Sequence, residues 1–337
     1  MQRLSELVIR PETTARWLRQ SLTRAHPPQA LLLVGAPGVG KRTVANALIA
    51  AWLCPQRTPD GACGACESCL KWSEEGSHPD LRVLRPSPDQ IKIESVREAR
   101  QWMNFAPTIA PFRFVLIEEA HRLNPAAANA LLKTLEEPPP RYHFVLTSPA
   151  SDLLIATILS RCQLVRLGVV PIAELAAILV ARGVEPAKAQ RIAELSEGAI
   201  GRALRWSQTD AVEWQTLESM LALFATLGSA PSISALRLAE QFRALCKQLE
   251  GGADETSARA ALATGLEYLL RWYRDSLAPP EKRQFASHHA ALEQLARRTP
   301  PAQRLEHIAR ITEARRAILG NANAQIITED LFIHLLA

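Results

Sequence analysis

The sequence contains no apolar run approaching the ~18–20 residues that a membrane span requires. No signal-peptide core follows its amphipathic first ten residues, which carry Glu6. Neither sign of charge dominates, since 39 Lys and Arg face 34 Asp and Glu and leave a net charge of +5. The basic residues are spread along the chain, so charge alone permits a nucleic-acid partner without pointing to one. Six cysteines are few for 337 residues, and a chain of this length buries enough core to fold without a disulfide scaffold. With 47% hydrophobic and 22% charged residues, a largely disordered protein is excluded. These absences lead to the expectation of a soluble, cytoplasmic protein of two or three domains of roughly 100–200 residues each.

What is present is ordered along the chain. Short apolar runs at 31–35, 81–84, 112–117, 144–147 and 164–167 are rich in Leu, Val, Ile and Phe, the composition of strands buried on both faces of a parallel sheet. Helical stretches alternate with them: 44–53, 93–104, and one that opens with Asn124 as N-cap and Pro125 at the first position and stops before Pro138. Alternating strands and helices predict an α/β domain with a doubly wound parallel sheet. After Leu167 the strand signal stops. A small helical unit punctuated by Gly183 and Gly198 runs to about Trp206. Apolar stripes at helical spacing follow, such as Leu217, Met220, Leu221 and Phe224, and they predict a helical bundle. Breaks are expected at 228–231, at Gly251-Gly252, at Pro279-Pro280 and at Pro300-Pro301.

Gly35-Ala-Pro-Gly38-Val-Gly40-Lys41 follows the first predicted strand and opens a helix, the context that a phosphate-binding loop requires. Its glycines let backbone N–H groups face phosphate oxygens, and Lys41 reaches the β and γ phosphates. A working loop continues with Ser or Thr, whose hydroxyl binds Mg²⁺. Here Arg42 stands in that place, and Thr43 lies about 100° further round the helix. A guanidinium has no lone pair for a metal and repels it, so metal-dependent hydrolysis is expected to be impaired. The pocket then remains either as a scaffold or as a site that holds ATP or ADP without turnover; Mg²⁺ is not expected. The strand at 112–117 runs into Glu118-Glu119. Glu118 occupies the place of the metal-binding Asp with one methylene too many, and Glu119 that of the carboxylate that polarises water; a solvated turn is the plain alternative.

Cys54, Cys63, Cys66 and Cys69 have the spacing C-x8-C-x2-C-x2-C. Four thiolates so spaced can close a tetrahedral structural Zn²⁺ site with no position left for water, and two disulfides suit a cytosolic chain poorly. His78 follows as a spare candidate ligand, while Cys246 reads as ordinary core on an apolar helix face. Ser160-Arg161-Cys162 precedes the last strand. Arg161 is either a solvated surface residue or an arginine that reaches a neighbouring subunit's γ-phosphate.

Taken together, the phosphate loop, the cysteine insert after its helix, His78-Pro79-Asp80-Leu81, Asn124 to Pro139 (NPAAANALLKTLEEPP) and Thr157 to Cys162 (TILSRC) resemble the bacterial clamp-loader subunits of DNA polymerase III, of the AAA+ class. The resemblance implies an AAA+ domain over 1–168 with the zinc module at 54–69, a helical lid over 169–208 and an oligomerising collar over 209–337. It implies a heteropentameric ring with motor ATPase subunits and a delta subunit that opens a sliding clamp and loads it on primer-template DNA. Within that family Arg42 and Glu118 match a non-hydrolysing member, for which Arg161 would complete the site of an adjoining motor. Arg202 resembles the sensor arginine of the second domain, with a plain helix-cap residue as the alternative, and Thr147-Ser148 sit where sensor 1 would be. An ATP-hydrolysing motor subunit and a zinc-dependent DNA-binding module are the competing readings.

Overall fold

The computed structural model describes residues 3–73, 77–87, 90–208, 211–249, 255–320 and 322–337. The chain divides into two compact units, Met1–Leu175 with Ser196–Ala203, and Ala176–Leu195 with Leu204–Ala337.

The first unit is built on five parallel strands: β1 (Ala30–Val34), β2 (Leu81–Leu84), β3 (Arg113–Ile117), β4 (Tyr142–Ser148) and β5 (Gln163–Arg166), in the order β2-β3-β4-β1-β5. The central strands are apolar at nearly every position because helices cover both faces. Alternate residues serve opposite sides. Leu31, Leu33, Phe114, Leu116, Val145 and Val165 pack with Leu18 of α1 (Glu12–Leu22) and with Ala45, Leu48 and Trp52 of α2 (Lys41–Leu53). Leu32, Val115, Ile117, Phe144 and Leu146 pack on the other face. Their partners are Val96 of α4 (Ile93–Trp102), Leu131 of α5 (Pro125–Glu136) and Ile158 of α6 (Ala156–Leu159). Each fully buried Leu, Val or Phe in these layers contributes on the order of 1.5–3 kcal/mol. The short α3 (Glu67–Leu70) belongs to the cysteine loop. Asn124 caps α5 as expected, its side chain accepting from the N–H of Ala127 at 2.8 Å. β3 opens with a charged residue, Arg113, at the edge of the predicted apolar run. It is buried because Nε donates to Asp80 at 3.0 Å and its guanidinium lies 4.4 Å over the ring of Trp102.

The remaining helices are α7 (Ile172–Ala181), α8 (Pro186–Leu195), α9 (Ile200–Trp206), α10 (Val212–Thr226), α11 (Ala235–Leu249), α12 (Glu255–Leu277), α13 (His289–Arg298), α14 (Pro301–Leu319) and α15 (Ala324–Leu336). In the second unit the apolar stripes meet as a bundle. Met220, Leu221 and Phe224 of α10 are buried with Phe242 of α11 and with Leu266, Leu269 and Trp272 of α12. Phe242 contacts Phe224 and also Phe332 of α15. Cys246 is buried on α11, as its place on the apolar stripe predicts. The breaks at Pro279-Pro280 and Pro300-Pro301 follow α12 and open α14. The expected break at Gly251-Gly252 lies outside the described residues. Among the described residues no helix is long and apolar enough to cross a membrane.

Candidate functional site: a phosphate loop and a four-cysteine cluster

β1 delivers the chain into the loop 35–40, and α2 starts at Lys41. Gly38 and Gly40 lie in the left-handed region, at φ 84° and 91°, where a side chain costs roughly 1–2 kcal/mol. Gly38 is also enclosed. A Cβ there would stand 3.2 Å from the Cβ atoms of both Ala199 and Arg202. The N–H of Gly201 donates to the carbonyl of Gly38 at 2.7 Å, so the start of α9 lies against the loop and brings Arg202 with it. Lys41 folds over the same loop, its Nζ donating to the carbonyls of Gly35 at 2.6 Å and Ala36 at 3.0 Å. Burial lowers its pKa, and Glu119 partly opposes that. Thr43 is exposed.

At the end of β3 the two carboxylates diverge. Glu118 meets two guanidinium groups. Arg42 Nε lies 3.1 Å from Oε1, an ion pair without an aligned hydrogen bond, and Arg85 Nε lies 3.3 Å from Oε2. Arg85 comes into range through strand register: β2 and β3 pair Leu84 with Ile117, so the next residue on each strand, Arg85 and Glu118, lie side by side. Glu119 takes φ 52°. Its N–H donates to Thr147 Oγ1 at 3.0 Å, and its carboxylate pairs with Arg122 at 2.7 Å. Thr147 on β4 thereby touches the end of β3. Ser148 instead donates to the carbonyl of Ala150.

Arg161 lies two residues before β5, an edge strand whose far end, Arg166, pairs with Val34 just before the loop. The length of the four-residue strand, about 10 Å, separates Arg161 from the level of the loop and puts it at the opposite end of the sheet from its own phosphate loop. Its guanidinium donates to Thr157 O at 3.0 Å, Ser160 Oγ at 3.3 Å and Glu136 Oε1 at 2.7 Å.

The four cysteines converge. Their Sγ atoms all lie within 4.8 Å of one another, with Cys54–Cys66 at 3.7 Å and Cys63–Cys69 at 3.8 Å, an arrangement that can hold a metal ion. Gly61 and Gly64 turn the loop at positive φ. The N–H groups of Ala65 and Cys66 point at Cys63 Sγ and lower that thiol to about 6, whereas burial raises Cys54 and Cys69. His78 is not in the cluster. Its Nδ1 accepts from the N–H of Asp80 at 3.0 Å, so Nε2 carries the proton toward Ser68 Oγ at 3.1 Å, and Ser68 donates to Leu53 O. Burial lowers the pKa of His78 and keeps it neutral in this chain of bonds.

Comparison with known proteins now identifies the setting. The family described as DNA polymerase III, delta subunit, matches residues 10–171. The chain is 34% identical over 200 residues to DNA polymerase III subunit delta' of Escherichia coli, covering 58% of this chain and 59% of that one. It is 38% identical over 141 residues to subunit delta' of Pseudomonas aeruginosa, covering 41% and 43%. It is also 31% identical over 294 residues to subunit tau of Escherichia coli, covering 83% and 45%. The chain is similar to the delta' and tau subunits of DNA polymerase III. It spans about half the length of these curated relatives. The parallel sheet with helices on both faces is the α/β, AAA+ fold expected of a clamp-loader subunit.

Two residues of this chain escape sequence reading. Arg85 follows the edge strand with no motif around it, and only the β2–β3 register reveals it. Glu136, the partner of Arg161, is 25 residues away in sequence. It stands within the LEEPP segment, which marks the family without disclosing this pair.

Proposed function

We propose that this chain is a delta-prime-type, non-hydrolysing clamp-loader subunit of DNA polymerase III. In this reading it sits in a heteropentameric ring with motor ATPase subunits and a delta subunit. It donates Arg161 to the neighbouring ATP site while the ring loads a sliding clamp onto primed DNA in the cytoplasm. The observation that carries the reading is the engagement of Glu118 by Arg42 and Arg85. Mg²⁺ does not fit there. The hydroxyl that would bind it is replaced by a cation, and the carboxylate that would bind it is already neutralised by guanidinium groups. Arg161 lies at the opposite end of the sheet from its own loop, the position of a residue that acts on another subunit.

The cysteine cluster fits Zn²⁺. Four sulfurs at 2.3 Å from one tetrahedral ion are about 3.8 Å apart, close to the two measured separations. The ion would be structural, since four thiolates leave no open position. The reading retains three parts: the AAA+ domain over 1–168, a lid over 169–208 and an oligomerising collar over 209–337, with Arg202 and Thr147 in the sensor places beside the loop.

The test is ATP hydrolysis by the purified chain and by the assembled complex. The chain alone is expected to be inactive, and Arg161→Ala is expected to lower the complex's rate by about 10³-fold or more. Robust turnover by the isolated wild-type chain would favour a second reading, a tau-like motor. The retained Gly38, Gly40 and Lys41 geometry and the long match to tau support that reading. Lys41→Ala separates the two, since it abolishes clamp loading only if the motor is in this chain.

A further inference from the structure

We propose that Arg42 and Arg85 together replace the divalent cation of this pocket, so that the phosphate loop takes a nucleoside triphosphate with no metal. This deepens the reading above and rests on its account of a site that cannot seat Mg²⁺. It does not depend on what Arg161 does.

The first ground is charge. A metal-dependent loop sets a lysine and Mg²⁺ against one acidic side chain, a net of two positive charges facing the phosphates. Here Lys41, Arg42 and Arg85 stand against Glu118, and the net is again two positive charges. The two guanidinium groups supply the charge of the missing ion, and they hold the same carboxylate that would have held it, one on each oxygen.

The second ground is the donors that remain. Both ion pairs run through Nε. The terminal nitrogens of Arg42 and Arg85 make no hydrogen bond to any described residue. A guanidinium is a planar fork suited to phosphate oxygens and stays charged at every relevant pH. Both side chains border an open cavity of about 650 Å³ against β2, beside Arg82 and Glu98, so they can turn toward a ligand without disturbing the core. The third ground is the loop. Gly38 and Gly40 keep the left-handed backbone that a phosphate cradle needs, and a Cβ at Gly40 would meet nothing. Its φ, not crowding, is what the glycine serves there.

Unlike Mg²⁺, a guanidinium cannot coordinate a water's lone pair and so does not acidify it for attack. The nucleotide is therefore held and not turned over.

The experiment is fluorescence anisotropy of a methylanthraniloyl-labelled ATPγS on the full chain, with millimolar MgCl₂ or with none. Divalent cations are removed from buffer and nucleotide by resin and not by a dissolved chelator, which would also attack the cysteine cluster. The expected result is a Kd that changes by less than about twofold between the two buffers, where metal-dependent binding would move it by tenfold or more. The double variant Arg42→Thr with Glu118→Asp is expected to make binding depend on Mg²⁺ by at least about tenfold. Tightening of wild-type binding by Mg²⁺ of tenfold or more would overturn the proposal, and so would absence of binding in both buffers at millimolar analogue. Both measurements on the wild-type chain stand whether or not the variant folds. They are separate from the Arg161 reading, which only ATP hydrolysis by the assembled complex can overturn.

Discussion

The two ends of α2 hold contrasting sites. Its first turn follows the phosphate loop, where two guanidinium groups hold Glu118. Its last turn leads into Cys54, where four thiols still converge as if around an ion. The difference lies in what supports each loop. The phosphate loop is anchored by β1, by Lys41 on its own carbonyls and by Gly201 on Gly38. It keeps its shape with Glu118 neutralised from within the protein. The cysteine loop has a four-residue helix and little buried apolar surface besides Cys54 and Cys69. Its links to the rest of the domain are polar: Ser68, His78 and Asp80 on one side, and on the other Arg57 on the carbonyls of Leu22, Arg24 and Ala25 and Asp60 on Leu4 and Ser5. On the proposed reading, a metal is dispensable where the fold already supports the loop and is required where the ion would be the core.

Substitution at the cysteines should therefore have the largest effect. A bound Zn²⁺ contributes on the order of 10 kcal/mol to a small site of this kind. Cys69→Ser is expected to lose stoichiometric zinc, measured by elemental analysis, and to open residues 54–73 to limited proteolysis. Because the ligands must be thiolates, wild-type zinc release is expected as pH falls, first through the more exposed cysteines. Retention of one zinc per chain in Cys69→Ser, with protection unchanged, would break the contrast.

The next effect belongs to the foundation of the cysteine loop. Asp80 is fully buried against Arg113. Burial alone would raise its pKa, but the N–H groups of Ala110, Thr108 and Ile109 and the Arg113 guanidinium outweigh burial and lower it. Removing one member of such a pair costs about 3–5 kcal/mol, so Asp80→Ala should show a large fall in Tm. A depressed carboxylate pKa means that its stabilisation is complete above the unfolded value of roughly 3.9 and is lost as pH falls through the lower folded value. Melting curves of wild type and Asp80→Asn between neutral pH and pH 3 should accordingly converge only at the acid end.

Much of this was legible in the sequence, and the reasons are particular. β1, β3 and β4 are buried on both faces, so they appear as continuous apolar runs whose ends shift by a residue or two, while the edge strands β2 and β5 are only partly buried. The glycines of the phosphate loop and the cysteine spacing are local patterns set by backbone turns and by one small ion, and both read directly. Arg85 beside Glu118 depends on how two strands align, and Glu136 on Arg161 depends on how α5 meets α6. Neither leaves a periodic or adjacent signal. His78 could be read as a spare metal ligand because composition cannot tell a coordinating imidazole from one hydrogen-bonded to Ser68.

The smallest effect sharpens the comparison most. Glu118 is also a carboxylate between arginines, yet it differs from Asp80 in its surroundings. The Arg42 and Arg85 side chains are 54% and 51% exposed, against 6% for Arg113. Ion pairs that reach into water this far contribute about 0–1 kcal/mol. Arg42→Ala should thus leave the denaturation midpoint almost unchanged, while the same truncation at Arg113 should lower it severely. The electrostatic consequence is different in kind: without Arg42, Glu118 faces the phosphate loop with one counter-charge fewer, so anion binding suffers although the fold does not. Measured together, urea midpoints and nucleotide-analogue binding for Arg42→Ala should separate cleanly, with an unmoved midpoint and weakened binding. A loss of stability comparable to that of Arg113→Ala would show that the arginine cluster is a structural element of the sheet end and not a charge kept in place for a ligand.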